Sequence, residues 1–151
     1  MKLIELFTEN NIELDLIAEQ PEDIIKAGGN LLLKNGSVEK AYINEMLNSY
    51  KKLKAYMVIS PGIALPHARP DSSVIKTGIS FIRLKKPVYF GHPENDPVRL
   101  VFSIAGTNGD NHIELIQRLS EILFDKDIIE KLYTVETKED FLKLLSGEEK
   151  Q

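Results

Sequence analysis

Two runs of this 151-residue chain, Thr77 to Leu84 and Val98 to Ala105, are β-branched, aromatic and apolar on both alternating sets of positions. A strand with one wet face alternates apolar and polar residues; a strand apolar on both sets has to be covered on two sides. Strands of that kind require helices above and below the sheet, and the chain carries helical periodicity both before and after them. The expected fold class is therefore α/β: a three-layer sandwich, a mixed β-sheet with helices on both faces. A single domain over residues 1–151 is expected, because ~150 residues is an ordinary domain size and buries roughly 70% of the extended chain's surface.

The helical segments can be bounded from local chemistry. Pro21, Glu22 and Asp23 read as a first turn, with proline at N1 and acids at the positive end of the helix dipole. Ile24, Ile25, Gly28, Leu31 and Leu32 follow at helical spacing, and Gly36 is a natural stop after Lys34. Gly28-Gly29 inside that helix costs about 1 kcal/mol per glycine against alanine, which points to close packing or a local break. Ser37 is placed to cap a second helix with an apolar face of Val38, Tyr42, Met46, Tyr50 and Leu53. Tyr56 to Ile59 reads as a short strand ended by Ser60-Pro61-Gly62, and Gly91 to Pro97 as a loop. Beyond Gly109-Asp110-Asn111, the stripe Ile113, Ile116, Leu119 and Leu123 marks another helix, followed by a short one around Ile128, Ile129 and Leu132. Thr137 with Asp140 three residues on resembles a capping box ahead of Phe141, Leu144 and Leu145.

Composition narrows the function classes. The net charge of −4, with no lysine or arginine run, disfavours nucleic acid and anionic membrane surfaces as partners. There is no cysteine, so disulfides, thiolate metal sites and a cysteine nucleophile are excluded, which fits a cytoplasmic location. No segment approaches the ~20 apolar residues of a membrane span, so a soluble protein is expected and any membrane role comes through a partner.

The chemistry concentrates around histidine. In Pro61-Gly62-Ile63-Ala64-Leu65-Pro66-His67-Ala68-Arg69-Pro70, Pro66 restricts Leu65 to extended geometry, and Ala68 leaves space beside the imidazole for an approaching group. That suits a nucleophile or ligand; the plainer alternative is a loop histidine bonded to a backbone carbonyl. His112 lies where a helix begins, with Asp110 or Asn111 as N-cap, among free amides that favour anions and disfavour an imidazolium. It should be neutral at pH 7 and able to donate to a phosphoryl oxygen; the alternative is a capping-region histidine with no partner. His92 reads as an exposed turn residue. The three histidines are too widely spaced for a recognisable zinc motif, and no metal or other cofactor is expected. Neither a Walker loop nor a dinucleotide-binding glycine fingerprint is present, and Ser60, Ser72 and Ser73 lack a nucleophile-elbow context.

The run Gly62-Ile63-Ala64-Leu65-Pro66-His67-Ala68 resembles the signature of the mannitol/fructose-type (type 2) enzyme IIA components of the bacterial phosphoenolpyruvate-dependent sugar phosphotransferase system. The likeness extends over almost the whole chain, through Glu39 to Tyr50, Glu94-Asn95-Asp96-Pro97-Val98 and Asn111-His112-Ile113-Glu114-Leu115. The longer string Pro61 to Pro70, with Phe90-Gly91-His92 and Asn95 to Val98, is most similar to the ascorbate branch. The resemblance implies a phosphoryl relay. The phosphocarrier protein HPr loads His67, a cysteine of the cognate IIB protein unloads it, and a membrane IIC permease couples that to carbohydrate uptake. It also implies that His112 helps hold the phosphoryl group. Mannitol-type members carry an arginine sixteen residues before the motif histidine, where this chain has Lys51. Lysine keeps the charge but loses the bidentate fork, and Arg69 is a second cation close by; the alternative is that both are solvated surface charges.

The relay is physically coherent. A free imidazole titrates near 6.5 and is mostly neutral, hence nucleophilic, at pH 7. In-line transfer needs positioning and charge stabilisation more than covalent assistance. With no cysteine here, the next carrier lies elsewhere. Two other readings stand beside this one: a regulatory module of the same kind that reports phosphorylation state by protein–protein binding, and a metal-dependent hydrolase using His67, His92 and His112.

Overall fold

Strand β4 (Gly78–Val88) runs antiparallel to β5 (Val98–Ala105), with Gly78 opposite Ala105, Phe81 opposite Phe102 and Val88 opposite Val98. In the computed structural model, which describes residues 1–148, this pair forms the middle of the sheet. Strand β1 (Ile12–Leu16) adds in parallel outside β4, β3 (Ile63–Ala64) adds in parallel outside β5, and β2 (Val58–Ser60) pairs antiparallel with β3. The order is β1-β4-β5-β3-β2, and both doubly apolar strands are interior, as their composition demands.

Two cores cover the two faces. Helices α1 (Pro21–Lys34) and α2 (Lys40–Leu53) pack on one side through Ile24, Ile25, Leu32, Tyr42 and Met46 against Ile82, Leu84 and Val101. On the other side lie α3 (Gly109–Leu123), α4 (Lys126–Thr134) and α5 (Lys138–Glu148), with the N-terminal turn. There Phe81 stacks on Phe141 with centroids 4.5 Å apart and meets Phe102 at 4.8 Å, while Phe141 meets Phe7 edge-on at 5.0 Å. The result is the three-layer α/β sandwich with a mixed sheet that the sequence implies. The glycines of α1 mark close packing and not a break: a methyl group at Gly28 would overlap the Ser103 side chain of β5, and one at Gly29 would press on Ile43 of α2.

Several local expectations are corrected. Ser37 does not cap α2. It lies in a bend, its carbonyl accepting from Ile75 N and Lys76 N while the neighbouring Val38 bridges to Val74. The helix therefore starts only at Lys40, with Glu39 at the N-cap and no side-chain bond there. Strand β2 begins at Val58, because Lys54–Met57 close a 3₁₀ turn that leaves Tyr56 84% exposed. Leu53, expected on the apolar face of α2, is exposed at its end. Strand β1 was not anticipated, and β4 runs on to Val88. Thr137 does hold the start of α5, its Oγ1 accepting from Asp140 N at 3.0 Å.

Candidate functional site

The segment carrying His67 is built by its neighbours in sequence. Gly62, at φ 77°, makes the turn from β2 to β3, a left-handed conformation that favours glycine. After two residues of ladder, Pro66 has no N–H to continue it, and the chain runs on beside β5 held by single bonds. Leu65 N donates to Met57 O at 2.7 Å, Ile104 N donates to Pro66 O at 3.1 Å, and Ala68 N donates to the Tyr42 hydroxyl at 3.1 Å. His67 thus sits between two anchored residues. Its ring is half-buried and open to a cleft, not walled off.

The ring is also oriented. Nδ1 lies 2.7 Å from Leu65 O, and since a carbonyl only accepts, Nδ1 carries the proton. In the neutral ring this leaves the lone pair on Nε2.

His112 reaches the same place from the other strand of the parallel pair. β5 ends at Ala105, and α3 starts at Gly109 with Asn108 as N-cap, its side chain accepting from Asn111 N at 2.9 Å. The cap is therefore Asn108, one turn before His112, and not Asp110 or Asn111. The tight approach of strand end to helix start depends on Gly106, where a methyl group would lie 2.8 Å from His112 N, Cα and Cβ. The two imidazoles end with centroids 5.1 Å apart and planes inclined at 56°. Both histidines follow parallel strands, β3 and β5, at their carboxyl ends, the usual position for a site in an α/β sheet.

The two rings line a cleft of about 490 Å³ whose far wall is α2. Glu45, Asn48, Ser49 and Lys52 face it at positions i, i+3, i+4 and i+7 of that helix. Arg69 and Asp71 line it from the motif side, so the cleft holds two cations and two carboxylates. Lys51 is exposed and does not line the cleft, because one residue turns the helix by ~100° and aims Lys52 inward instead. Lys52 and Tyr42 were not singled out from sequence. The polar stripe 45/48/49/52, flanking the buried Tyr42, Met46 and Tyr50, is the signal that identifies Lys52.

His112 has its pKa pushed below the ordinary histidine value, mainly by burial and next by the charge of neighbouring His67. This direction favours the neutral ring, with burial and not the helix dipole as its leading cause. Its Nδ1 is buried and has no hydrogen-bond partner among the described residues. A lowered folded-state pKa means that the unfolded chain binds the extra proton first. Stability from His112 is thus complete above the unfolded value of ~6.5 and is lost as pH falls below it toward the folded pKa. His112→Gln should flatten the decline in urea midpoint below pH ~6.5; an unchanged pH slope would contradict this.

His92 lies apart, in the loop before β5. Its Nδ1 accepts from Glu94 N at 3.1 Å and Asn95 N at 2.9 Å, and its own N–H donates to the Asp96 carboxylate at 2.9 Å. It borders a second hollow with Leu53, Tyr56 and Pro93. Among the described residues no group of three His, Asp or Glu is arranged to hold a metal ion, and no helix is long and apolar enough to cross a membrane.

Comparison with known proteins sets this geometry in context. Residues 5–148 match the family model for the phosphoenolpyruvate-dependent sugar phosphotransferase system, EIIA 2. The ascorbate-specific PTS system EIIA component of Escherichia coli K12 is 35% identical over 147 residues, 96% of each chain. The crystal structure of IIA mannitol from Escherichia coli superposes with a TM-score of 0.82 at 34% identity, covering 92% of this chain and 98% of that one. The mannitol enzyme IIA in complex with phosphorylated enzyme IIB, also from Escherichia coli, gives 0.84 at 34% identity, with coverage of 93% and 97%.

Proposed function

The chain belongs to the EIIA 2 family of the phosphoenolpyruvate-dependent sugar phosphotransferase system, and on that premise we propose that His67 is its phosphoryl-carrying nucleophile. The observation that carries the reading is the bond from His67 Nδ1 to Leu65 O, which leaves Nε2 as the nucleophilic nitrogen of a ring open to the cleft. Nε2 attacks the phosphorus of phospho-HPr in line. The new P–N bond forms as the donor's P–N bond breaks, and that electron pair returns to the donor's imidazole. The thiolate of a cysteine on the cognate IIB protein then attacks the same phosphorus, forming P–S and restoring the Nε2 lone pair. No cofactor enters either step.

His112, neutral and 5.1 Å from His67 between ring centres, stabilises the phosphoryl oxygens from one side. Arg69 and Lys52 supply positive charge from the cleft wall. Lys51, outside the cleft, contributes only a field screened by water and salt. The relay runs in the cytoplasm, with a membrane IIC permease as the final, indirect partner. The similarity to ascorbate-specific components makes L-ascorbate the first carbohydrate to test.

The experiment is reconstitution with phosphoenolpyruvate, enzyme I and HPr, followed by addition of an ascorbate-type IIB. One acid-labile phosphate per chain, discharged onto the IIB cysteine, is the expected result. Absence of label ends the assignment of the chain as a phosphoryl acceptor, and label that no IIB removes would convert the reading to a regulatory module.

A further inference from the structure

We propose that Tyr42 is a positioning residue for the transfer, its buried hydroxyl tying the segment that carries His67 to the strand end that leads to His112. The inference rests on the function proposed for His67 but stands on separate observations. Tyr42 is wholly buried in α2. Its hydroxyl accepts from Ala68 N at 3.1 Å and donates to Ile104 O at 2.8 Å, with Ala68 O a longer alternative at 3.2 Å. Ile104 N in turn donates to Pro66 O at 3.1 Å. The bonds close a ring: Pro66 to Ile104, Ile104 to Tyr42, Tyr42 to Ala68. Pro66 and Ala68 are the two residues that flank His67, and Ile104 stands two residues before Gly106, against which His112 is packed.

One hydroxyl therefore bears on both imidazoles without touching either. It stays protonated through any working pH, since burial pushes its pKa up to about 12, so it donates and accepts at once. Without it, the Ala68 N–H and Ile104 carbonyl lose their bonds to it in the interior, and the backbone has to move to find others. A shift of about 1 Å in the carrier ring is enough to cost ~10²-fold in rate.

Helix α2 supplies its own control. Tyr50, two turns further on and also buried, donates its hydroxyl to Phe90 O at 3.0 Å, in a segment that carries neither His67 nor His112. Tyr42→Phe and Tyr50→Phe each delete one oxygen from a core tyrosine, so both should lower the urea midpoint, Tyr42→Phe the more because it strands two backbone groups and not one. Tyr42→Phe should lower the kcat for loading from phospho-HPr by ~10–100-fold with KM nearly unchanged. Tyr50→Phe should stay within about twofold of wild type.

A second readout needs no phosphoryl transfer. In ¹⁵N spectra of the unphosphorylated protein, Tyr42→Phe should reduce the fraction of His67 protonated on Nδ1, whereas Tyr50→Phe should not. In wild type the Ala68 amide should be protected from hydrogen exchange, which tests the bond even if the variant fails to fold. A Tyr42→Phe protein that loads at the rate of Tyr50→Phe and keeps the wild-type tautomer overturns the proposal, as does an Ala68 amide exchanging at free-loop rates. Failure of the wild type to accept phosphate would instead remove the function proposed for His67, leaving the tautomer and exchange results to judge the clamp.

Discussion

His67→Ala is expected to eliminate the acid-labile phosphate altogether while changing stability by no more than about 1 kcal/mol. The chemical half of that expectation follows from the site. His112 is the only other imidazole lining the cleft, and its Nδ1 is buried with no partner among the described residues. Its backbone N–H is already spent on Asn108 O at 3.0 Å, so the residue is fixed in the helix rather than free to replace the carrier. The energetic half follows from exposure: the His67 ring is half-buried at a cleft, its single described hydrogen bond is to a residue two positions away, and side chains outside a packed core contribute little. Intact-mass analysis after incubation with phosphoenolpyruvate, enzyme I and HPr measures the first, and urea unfolding the second. Retention of the label in His67→Ala would show that the carrier is elsewhere.

The largest expected loss of stability lies in the opposite core. Phe81→Ala removes a ring with no exposed surface that touches Phe102 on the next strand and Phe141 on α5, which itself contacts Phe7. Four aromatic rings then lose a central member, and neither strand pairing nor helix position can close the gap without breaking the β4–β5 register. Truncations of this kind cost about 3–5 kcal/mol, a large part of the 5–15 kcal/mol that holds a typical domain together. Chemical denaturation should show the loss directly. Because Phe81 and the cleft lie on different elements, phosphate acceptance per folded molecule should be unaltered at low temperature. A loss below about 1 kcal/mol would mean that the aromatic column is not the centre of this core.

How far the sequence carries is seen in particular segments. β5 was legible to the residue, Val98 to Ala105, because a strand buried on both faces must be apolar throughout. α1 was legible from Pro21 to Lys34 because its ends carry their own chemistry, proline at the start and Gly36 at φ 78° after the finish. β1 was not: five residues, Ile-Glu-Leu-Asp-Leu, between a 3₁₀ turn and a bend, with Asp15 at positive φ, offer no local period long enough to detect. β3 was hidden for a related reason, being only two residues between the turn glycine Gly62 and Pro66. The candidate site divides the same way. Its motif histidine was visible at once, but the pairing of His67 with His112 spans 45 positions of chain and was reached only through family resemblance. Lys51 was reached by counting sixteen residues back from His67, whereas the pitch of α2 decides which of two adjacent lysines faces the cleft. Tyr42 could only be read as part of the apolar face of its helix, because its partners Ala68 and Ile104 lie 26 and 62 residues away.

The bond between the His67 ring and the Leu65 carbonyl has a consequence for traffic through the relay. If His67 carries the phosphoryl group on Nε2, as proposed, the Nδ1 proton stays in place and the same carbonyl steers the ring empty and charged alike. On the carrier role proposed for His67, cargo is handed over along the line on which it arrived, and the protein is expected to behave as a turnstile with one gate. Donor and acceptor cannot stand in it together: a surplus of either uncharged partner should throttle flux, and turnover should follow ping-pong order with mutual competition.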